Sequence, residues 1–151
     1  MNYLIIFSRF LVGWLFIFSG FIKLNDPLGF SYKLQEYFEV FGVEWLSSLS
    51  LFLAISICSL EVLLGLCLLL GSYIKCVMWG NLALIIFFTF LTFYSAYFNK
   101  VTDCGCFGDA IPLSPWESFT KDVILLILIT ILFVNQDKIK SICLSLAKFL
   151  F

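Results

Sequence analysis

Four long apolar runs divide the chain, and polar or turn-forming segments separate them. The runs cover residues 4–22, 49–70, 76–98 and 116–134. Each run is close to the ~20 residues that an α-helix needs to cross the hydrocarbon core of a bilayer. The pattern predicts an all-α integral membrane protein, a four-helix bundle in which residues 1–151 form one domain.

A shorter helix is predicted between the first two runs. Asn25-Asp26-Pro27 is a turn signal, and behind it apolar residues recur at helical spacing among charged ones. The apolar positions are Phe30, Leu34, Tyr37, Phe38 and Phe41. This mixture is typical of a short amphipathic helix that lies at the membrane interface instead of crossing the bilayer.

The composition supports the same class of protein. Hydrophobic residues make up 62% of the chain and charged residues 13%, against about 45–50% and 25% in soluble domains. The formal charge is −1, so no basic excess is available for phosphates. These values exclude a soluble enzyme, a disordered chain and a nucleic-acid-binding protein. The lipid bilayer is therefore the expected surrounding of most of the chain.

The lysines predict which side of the membrane each loop faces. With four crossings, one side receives the N-terminus, the turn after the second run and the C-terminal tail. The lysines on that side are Lys75, Lys138, Lys140 and Lys148, and those on the other side are Lys23, Lys33 and Lys100. Basic residues collect on the cytoplasmic side. We therefore expect a bacterial inner-membrane protein with both termini inside and residues 99–115 in the periplasm.

Cys104-Gly105-Cys106 is the strongest candidate for chemistry. Two thiols around a flexible glycine can close a small disulfide ring. An extended pair two residues apart lies near the upper limit of the usual Cα separation of about 4.4–6.8 Å, so the ring would be strained. Strain raises the reduction potential, which favours disulfide exchange in an oxidising compartment. The alternatives are a structural clip or a metal site.

A metal centre has little support in this sequence. The chain contains no histidine, and two thiols alone provide too few ligands for a usual zinc site. The same absence removes a histidine general base and a histidine haem ligand. We therefore expect no metal.

The first two apolar runs each contain one charge. Glu61 lies near the middle of the second run, and Arg9 lies in the first. A lone charge at the bilayer centre costs about 2.5–3.5 kcal/mol even on lenient scales. Antiparallel helices would bring the two residues to similar depth, so we expect an Arg9–Glu61 ion pair that fixes helix packing. The alternative is a proton site or quinone-headgroup site lined by Glu61.

Small residues share the faces of these two charges. The stripes are Arg9, Gly13, Phe16 and Gly20 in the first run, and Ala54, Cys58, Glu61 and Gly65 in the second. Small residues let helices approach closely in a membrane. The pattern therefore predicts a tight contact between the first and second runs.

A third group of polar residues lies near the outer helix ends. Lys121 and Asp122 follow the cysteine segment, and Lys23 directly follows the first run. A lysine near a thiol favours the thiolate, and Asp122 can take the proton or orient Lys121. The alternative is that the lysines only extend to the interface, beside Trp116.

Three motifs resemble the MauE/DoxX-like membrane proteins. The most specific is CGCFGD at 104–109, followed by L-S-P-W-x-S-F-x-K-D at 113–122. The other two are R-F-L-V-G-W-x-F-I-F-S-G-x-x-K-L at 9–24 and E-V-L-L-G-L at 61–66. Together they extend the resemblance over nearly the whole chain.

The resemblance implies a four-helix membrane bundle that serves thiol chemistry. MauE-type proteins are associated with maturation of the disulfide-rich small subunit of methylamine dehydrogenase, alongside a thioredoxin-like periplasmic protein. DoxX-type relatives imply quinone-linked electron transfer. By position, Cys104 and Cys106 match the dithiol of the family. The matching polar positions are Arg9, Lys23, Glu61, Lys121 and Asp122.

The leading hypothesis is an inner-membrane thiol–disulfide redox protein. Cys104 and Cys106 would exchange disulfides with a periplasmic thioredoxin-fold partner, with Lys121 and Asp122 assisting. A membrane quinone is the expected cofactor, near a site formed by Arg9, Lys23 and Glu61. A second hypothesis is a non-catalytic assembly factor in which CGC is a clip. A third is a small-molecule carrier, which the lack of visible inverted repeats disfavours.

Overall fold

The computed structural model describes residues 3–98 and 114–139. Its α-helices are α1 (Tyr3–Asn25), α2 (Pro27–Val40), α3 (Ser50–Leu70), α4 (Ile74–Phe98) and α5 (Pro115–Val134). Short 3-10 helices at Glu44–Leu49 and Gln136–Lys138 complete the described elements. These two ranges contain no strand. The all-α prediction is confirmed, and the four long helices match the four apolar runs closely.

The four long helices pack in a closed ring. Helix α1 contacts α3, α3 contacts α4, α4 contacts α5, and α5 returns to α1. Neighbours along the chain run antiparallel: α3 and α4 are joined by a tight turn, and Trp79 near the start of α4 meets Phe133 at the end of α5. Gly71 ends α3 in the left-handed conformation, at φ 73°, which glycine adopts without a Cβ clash.

The outer surface of the bundle suits lipid. Large apolar side chains are exposed on every long helix, for example Phe7, Trp14, Phe52, Phe90 and Ile127. Within residues 3–98 and 114–139, three segments are long and apolar enough to cross a membrane, namely α1, Glu44–Leu70 and α4. Helix α5 has 20 residues and carries charged groups in its first half. Its crossing, and with it the predicted count of four, stays a prediction.

Helix α2 covers one side of the bundle. Asp26 caps its start by accepting a hydrogen bond from the Gly29 amide at 3.0 Å. Phe30, Leu34 and Tyr37 are buried, and the Tyr37 hydroxyl donates to the Leu91 carbonyl of α4 at 3.1 Å. The predicted amphipathic helix therefore exists, and its apolar face is buried on other helices of the same chain.

Helices α1 and α3 approach each other closely, as the small-residue stripes predict. A Cβ added to Gly65 would lie 2.9 Å from the Gly13 carbonyl oxygen, and one added to Gly20 would lie 3.1 Å from the Cys58 carbonyl oxygen. Backbone at this distance leaves no room for a side chain. The contact fixes the register of α1 along α3.

A capping box fixes the start of α5. The Ser114 hydroxyl accepts from the Glu117 amide at 3.3 Å, and the Ser114 amide donates to the Glu117 carboxylate at 2.8 Å. Pro115 occupies the first helical position, where its missing amide hydrogen is no loss. The helix begins in this way directly after the segment 99–113, and this sets the depth of Lys121 and Asp122.

Candidate functional site

Lys23 and Glu61 form a buried ion pair. Lys23 lies in the last turn of α1, and its Nζ is 2.6 Å from the Glu61 Oε2 of α3. The two side chains are only 1% and 5% exposed. The ammonium also lies over the Phe88 ring, 4.1 Å from its centroid, and 5.5 Å from that of Phe30. A carboxylate and two aromatic faces thus replace water around this cation.

The expected Arg9–Glu61 pair is wrong. The Arg9 Nε donates to the Leu68 carbonyl at 2.8 Å, and its Nη2 donates to the Leu69 carbonyl at 2.7 Å. Leu68 lies seven residues beyond Glu61, about 10 Å along the axis of α3. The last carbonyls of a helix lack intrahelical partners and carry the negative end of its dipole. Arg9 therefore caps α3, far from the candidate site.

A second ion pair lies on α5. The Lys121 Nζ is 3.0 Å from the Asp122 Oδ1, and the Asp122 side chain is 1% exposed while that of Lys121 is 22% exposed. From α4, the Thr92 hydroxyl lies 3.1 Å from the Asp122 Oδ2 and 3.0 Å from the Phe88 carbonyl. Asp122 is therefore a buried carboxylate held between a lysine and a hydroxyl.

One small cavity connects the two ion pairs. Its polar lining consists of Ser19, Lys23, Glu61, Lys121 and Asp122, and its apolar lining includes Phe16, Ile85 and Phe88. Its volume is about 10 Å³, close to the minimum that holds one water molecule. The sequence predicts a role in thiol chemistry for Lys121 and Asp122 and a cofactor site at Lys23 and Glu61. In the structure all four residues line one site.

The residues described do not fit a quinone in this arrangement. The cavity is far smaller than a quinone ring. Lys23 and Glu61 were expected to face a quinone headgroup, but they bind each other. Arg9 donates to a carbonyl in the last turn of α3. We therefore assign no step to a quinone, and the quinone link stays a prediction from the resemblance.

The site lies at the end of the bundle that carries the cysteine segment. Cys104 and Cys106 fall outside the described residues. The segment that contains them is joined to the end of α4 and to the start of α5. Asp122 comes seven residues after the start of α5, and Thr92 six residues before the end of α4, which is about 9–10 Å inside the bundle. The polar site thus lies beneath the attachment points of the cysteine segment.

The remaining described cysteines differ in their surroundings. Cys58 is fully buried on the face of α3 that also carries Glu61. Cys67 is half-buried, and Cys76 is exposed near the start of α4, at the opposite end of the bundle. Among the described residues, no cluster of three or more His, Cys, Asp or Glu side chains could hold a metal.

Sequence reasoning missed the uncharged members of the site. Thr92 and Phe88 lie in the third apolar run, and Phe30 lies in the amphipathic helix. Thr92 carried a weak signal, because it is a polar residue in a membrane run. The two phenylalanines carried none, because 19 such residues occur in the chain.

The fold and the site define a helical membrane bundle with two neighbouring ion pairs at one end. The chain belongs to the family of the methylamine utilisation protein MauE, whose model matches residues 1–135. It is also 25% identical over 142 residues to Protein TlpB of Flavobacterium psychrophilum. That match covers 91% of this chain and 38% of TlpB, so this chain spans well under half of its relative. No solved structure matches the chain significantly.

Proposed function

We propose that this protein is a thiol–disulfide redox component of the bacterial inner membrane. Cys104 and Cys106 exchange disulfides with a thioredoxin-fold protein on the periplasmic side. One observation carries the proposal: the buried Lys23–Glu61 pair and the Lys121–Asp122 pair lie beneath the attachment points of the only Cys-x-Cys motif in the chain. Membership of the MauE family supports the same context.

The exchange proceeds through a mixed disulfide. One thiolate of the reduced Cys104–Cys106 pair attacks a sulfur of the partner disulfide, and the other partner sulfur leaves as a thiolate. The second thiol of the pair then attacks the mixed disulfide and releases the partner as a dithiol. Two electrons have passed to the partner, and the Cys104–Cys106 disulfide has formed. The reverse sequence of steps oxidises the partner.

The polar site handles charge and protons during this exchange. Lys121 is partly exposed and stabilises the attacking thiolate. Asp122 accepts the proton of the attacking thiol and returns it to the leaving thiolate. Thr92 holds Asp122 in place, and the Lys23–Glu61 pair lines the same cavity. In the bacterial setting, the substrate of this chemistry is a disulfide-containing protein such as the methylamine dehydrogenase small subunit.

The dithiol is tested by serine variants. We expect Cys104→Ser or Cys106→Ser to abolish disulfide exchange and leave membrane abundance unchanged, because the remaining thiol can neither close the ring nor release a mixed disulfide. Gel shifts with a maleimide-linked polymer report the redox state. A mixed disulfide with a thioredoxin-fold partner, trapped by one of the variants, supports the proposal.

Cys76→Ser is the matched control for these variants. Its thiol is exposed at the opposite end of the bundle, so exchange should proceed as in the unmodified protein. A Cys104–Cys106 disulfide that resists strong reductant, together with parallel loss of abundance and function in the variants, would contradict the redox proposal. The protein would then be an assembly factor in which CGC is a structural clip.

The membrane orientation is tested by labelling single-cysteine proteins in intact cells. We expect an impermeant maleimide to label Cys104 from outside and to label Cys76 only after lysis. The reason is that Lys75 and Lys138 lie at the end of the bundle that carries Cys76, and such residues favour the cytoplasm. Labelling of Cys76 with protection of Cys104 would invert the orientation.

A further inference from the structure

The cavity between the two ion pairs has the properties of a water site. Its volume of about 10 Å³ approaches what one water requires, and a stable buried water needs two to four polar partners. Five polar residues line this cavity, and four of them carry charged side chains: Lys23, Glu61, Lys121 and Asp122. A space of this size without polar lining would stay dry. The polar groups in the lining can therefore supply the partners that a buried water needs.

We propose that one buried water molecule binds in this cavity and joins Lys23–Glu61 and Lys121–Asp122 into a single four-charge network. The network links the α1–α3 half of the bundle to the α4–α5 half. Its two cations and two carboxylates sum to zero. The inference does not rest on the redox function, because it concerns how the interior charges of the bundle are held.

A network behaves differently from two separate pairs when one charge is removed. Glu61→Gln leaves a net positive charge in the interior, and an uncompensated buried charge is strongly destabilising. If the two ion pairs are independent, the charge that Glu61→Gln leaves unpaired is that of Lys23, and only the loss of Lys23 removes it. In a network joined by water, loss of Lys121 also restores neutrality, and the remaining Lys23 can be compensated by Asp122 across the water. Rescue by the more distant lysine therefore identifies the network.

The experiment compares thermal unfolding midpoints of the full chain in one detergent. We expect Glu61→Gln to lower the midpoint by about 10 °C. Adding Lys23→Met should recover most of the loss, and adding Lys121→Met should recover at least half of it. Arg9→Met is the matched control, since it also removes a cation from the interior. Arg9 binds the carbonyls of Leu68 and Leu69, so its removal should recover nothing.

If Glu61→Gln does not accumulate in the membrane, a second set of variants that removes the charge of Asp122 tests the same proposal. Asp122→Asn is then combined with Lys23→Met or with Lys121→Met, and membrane abundance is measured. Rescue by both lysine changes supports the network, whereas rescue by the adjacent lysine alone, or by neither, overturns it. A high-resolution experimental structure should show one ordered water within hydrogen-bonding distance of both Glu61 and Asp122. Two pairs packed in direct contact without a water would overturn the water site.

Discussion

Lys23→Ala is expected to lower the free energy of unfolding by about 3–5 kcal/mol, the effect of breaking a buried ion pair. The change removes the 2.6 Å contact to Glu61 and leaves that carboxylate between α1 and α3 with 5% of its side chain exposed. It also removes the cation from the faces of Phe88 and Phe30. Chemical unfolding of the detergent-solubilised protein, followed by circular dichroism, measures the loss.

Lys33→Ala is the control for this prediction. Lys33 and Glu36 also form an ion pair, but their atoms are 3.7 Å apart and the side chains are 22% and 47% exposed. Such surface pairs contribute about 0.2–1 kcal/mol. The double variant Lys23→Met with Glu61→Gln should be more stable than Lys23→Ala, because no charge is stranded. An equal loss of unfolding free energy for Lys23→Ala and Lys33→Ala would show that the buried pair stabilises the protein no more than a surface pair does.

Gly65→Val is expected to destabilise the protein by about 3 kcal/mol, through overpacking between α1 and α3. The first added carbon would already lie 2.9 Å from the Gly13 carbonyl oxygen and 3.1 Å from the Phe16 Cβ. Neither atom can rotate away, because one belongs to the backbone and the other is attached to it. The two helices must separate, which also weakens the contact that aligns Lys23 with Glu61. Thermal unfolding and membrane abundance report the result.

Gly80→Val provides the matched control on α4. A Cβ there would meet the ends of the Leu64 side chain at 2.9 and 3.0 Å, and those atoms can move by a change of rotamer. Gly80 is also only half-buried. We expect a loss below about 1 kcal/mol at this position. A loss at Gly80 as large as that at Gly65 would mean that close backbone approach does not distinguish the α1–α3 contact.

Much of the architecture follows from local features of the sequence. A run of about 20 apolar residues must satisfy its backbone hydrogen bonds within itself in lipid, so it forms a helix wherever it lies in the bundle. Turn residues at Asn25-Asp26-Pro27 and the capping box at Ser114 mark helix starts in the same local way. The family motifs identified the candidate polar residues of the site, but they do not show which of these residues contact each other.

The partners of the charged residues were decided by tertiary structure. Both Arg9 and Lys23 lie on α1, and only the register of α1 along α3 determines which of them reaches Glu61. Gly13, Gly20 and Gly65 set that register through close backbone approach between α1 and α3, whose contacting residues are distant in sequence. A sequence pattern shows that these positions are small, but not how far one helix slides along the other.

The surroundings of the site also depend on distant segments. Thr92 and Phe88 come from α4 and Phe30 from α2, and none of them carries a charge that would mark it in the sequence. The sequence by itself determined that charges inside the apolar runs need partners, because an unpaired charge is costly in a low-dielectric interior. The tertiary structure decided which partners they have, because packing alone brings an atom within hydrogen-bonding distance of another helix.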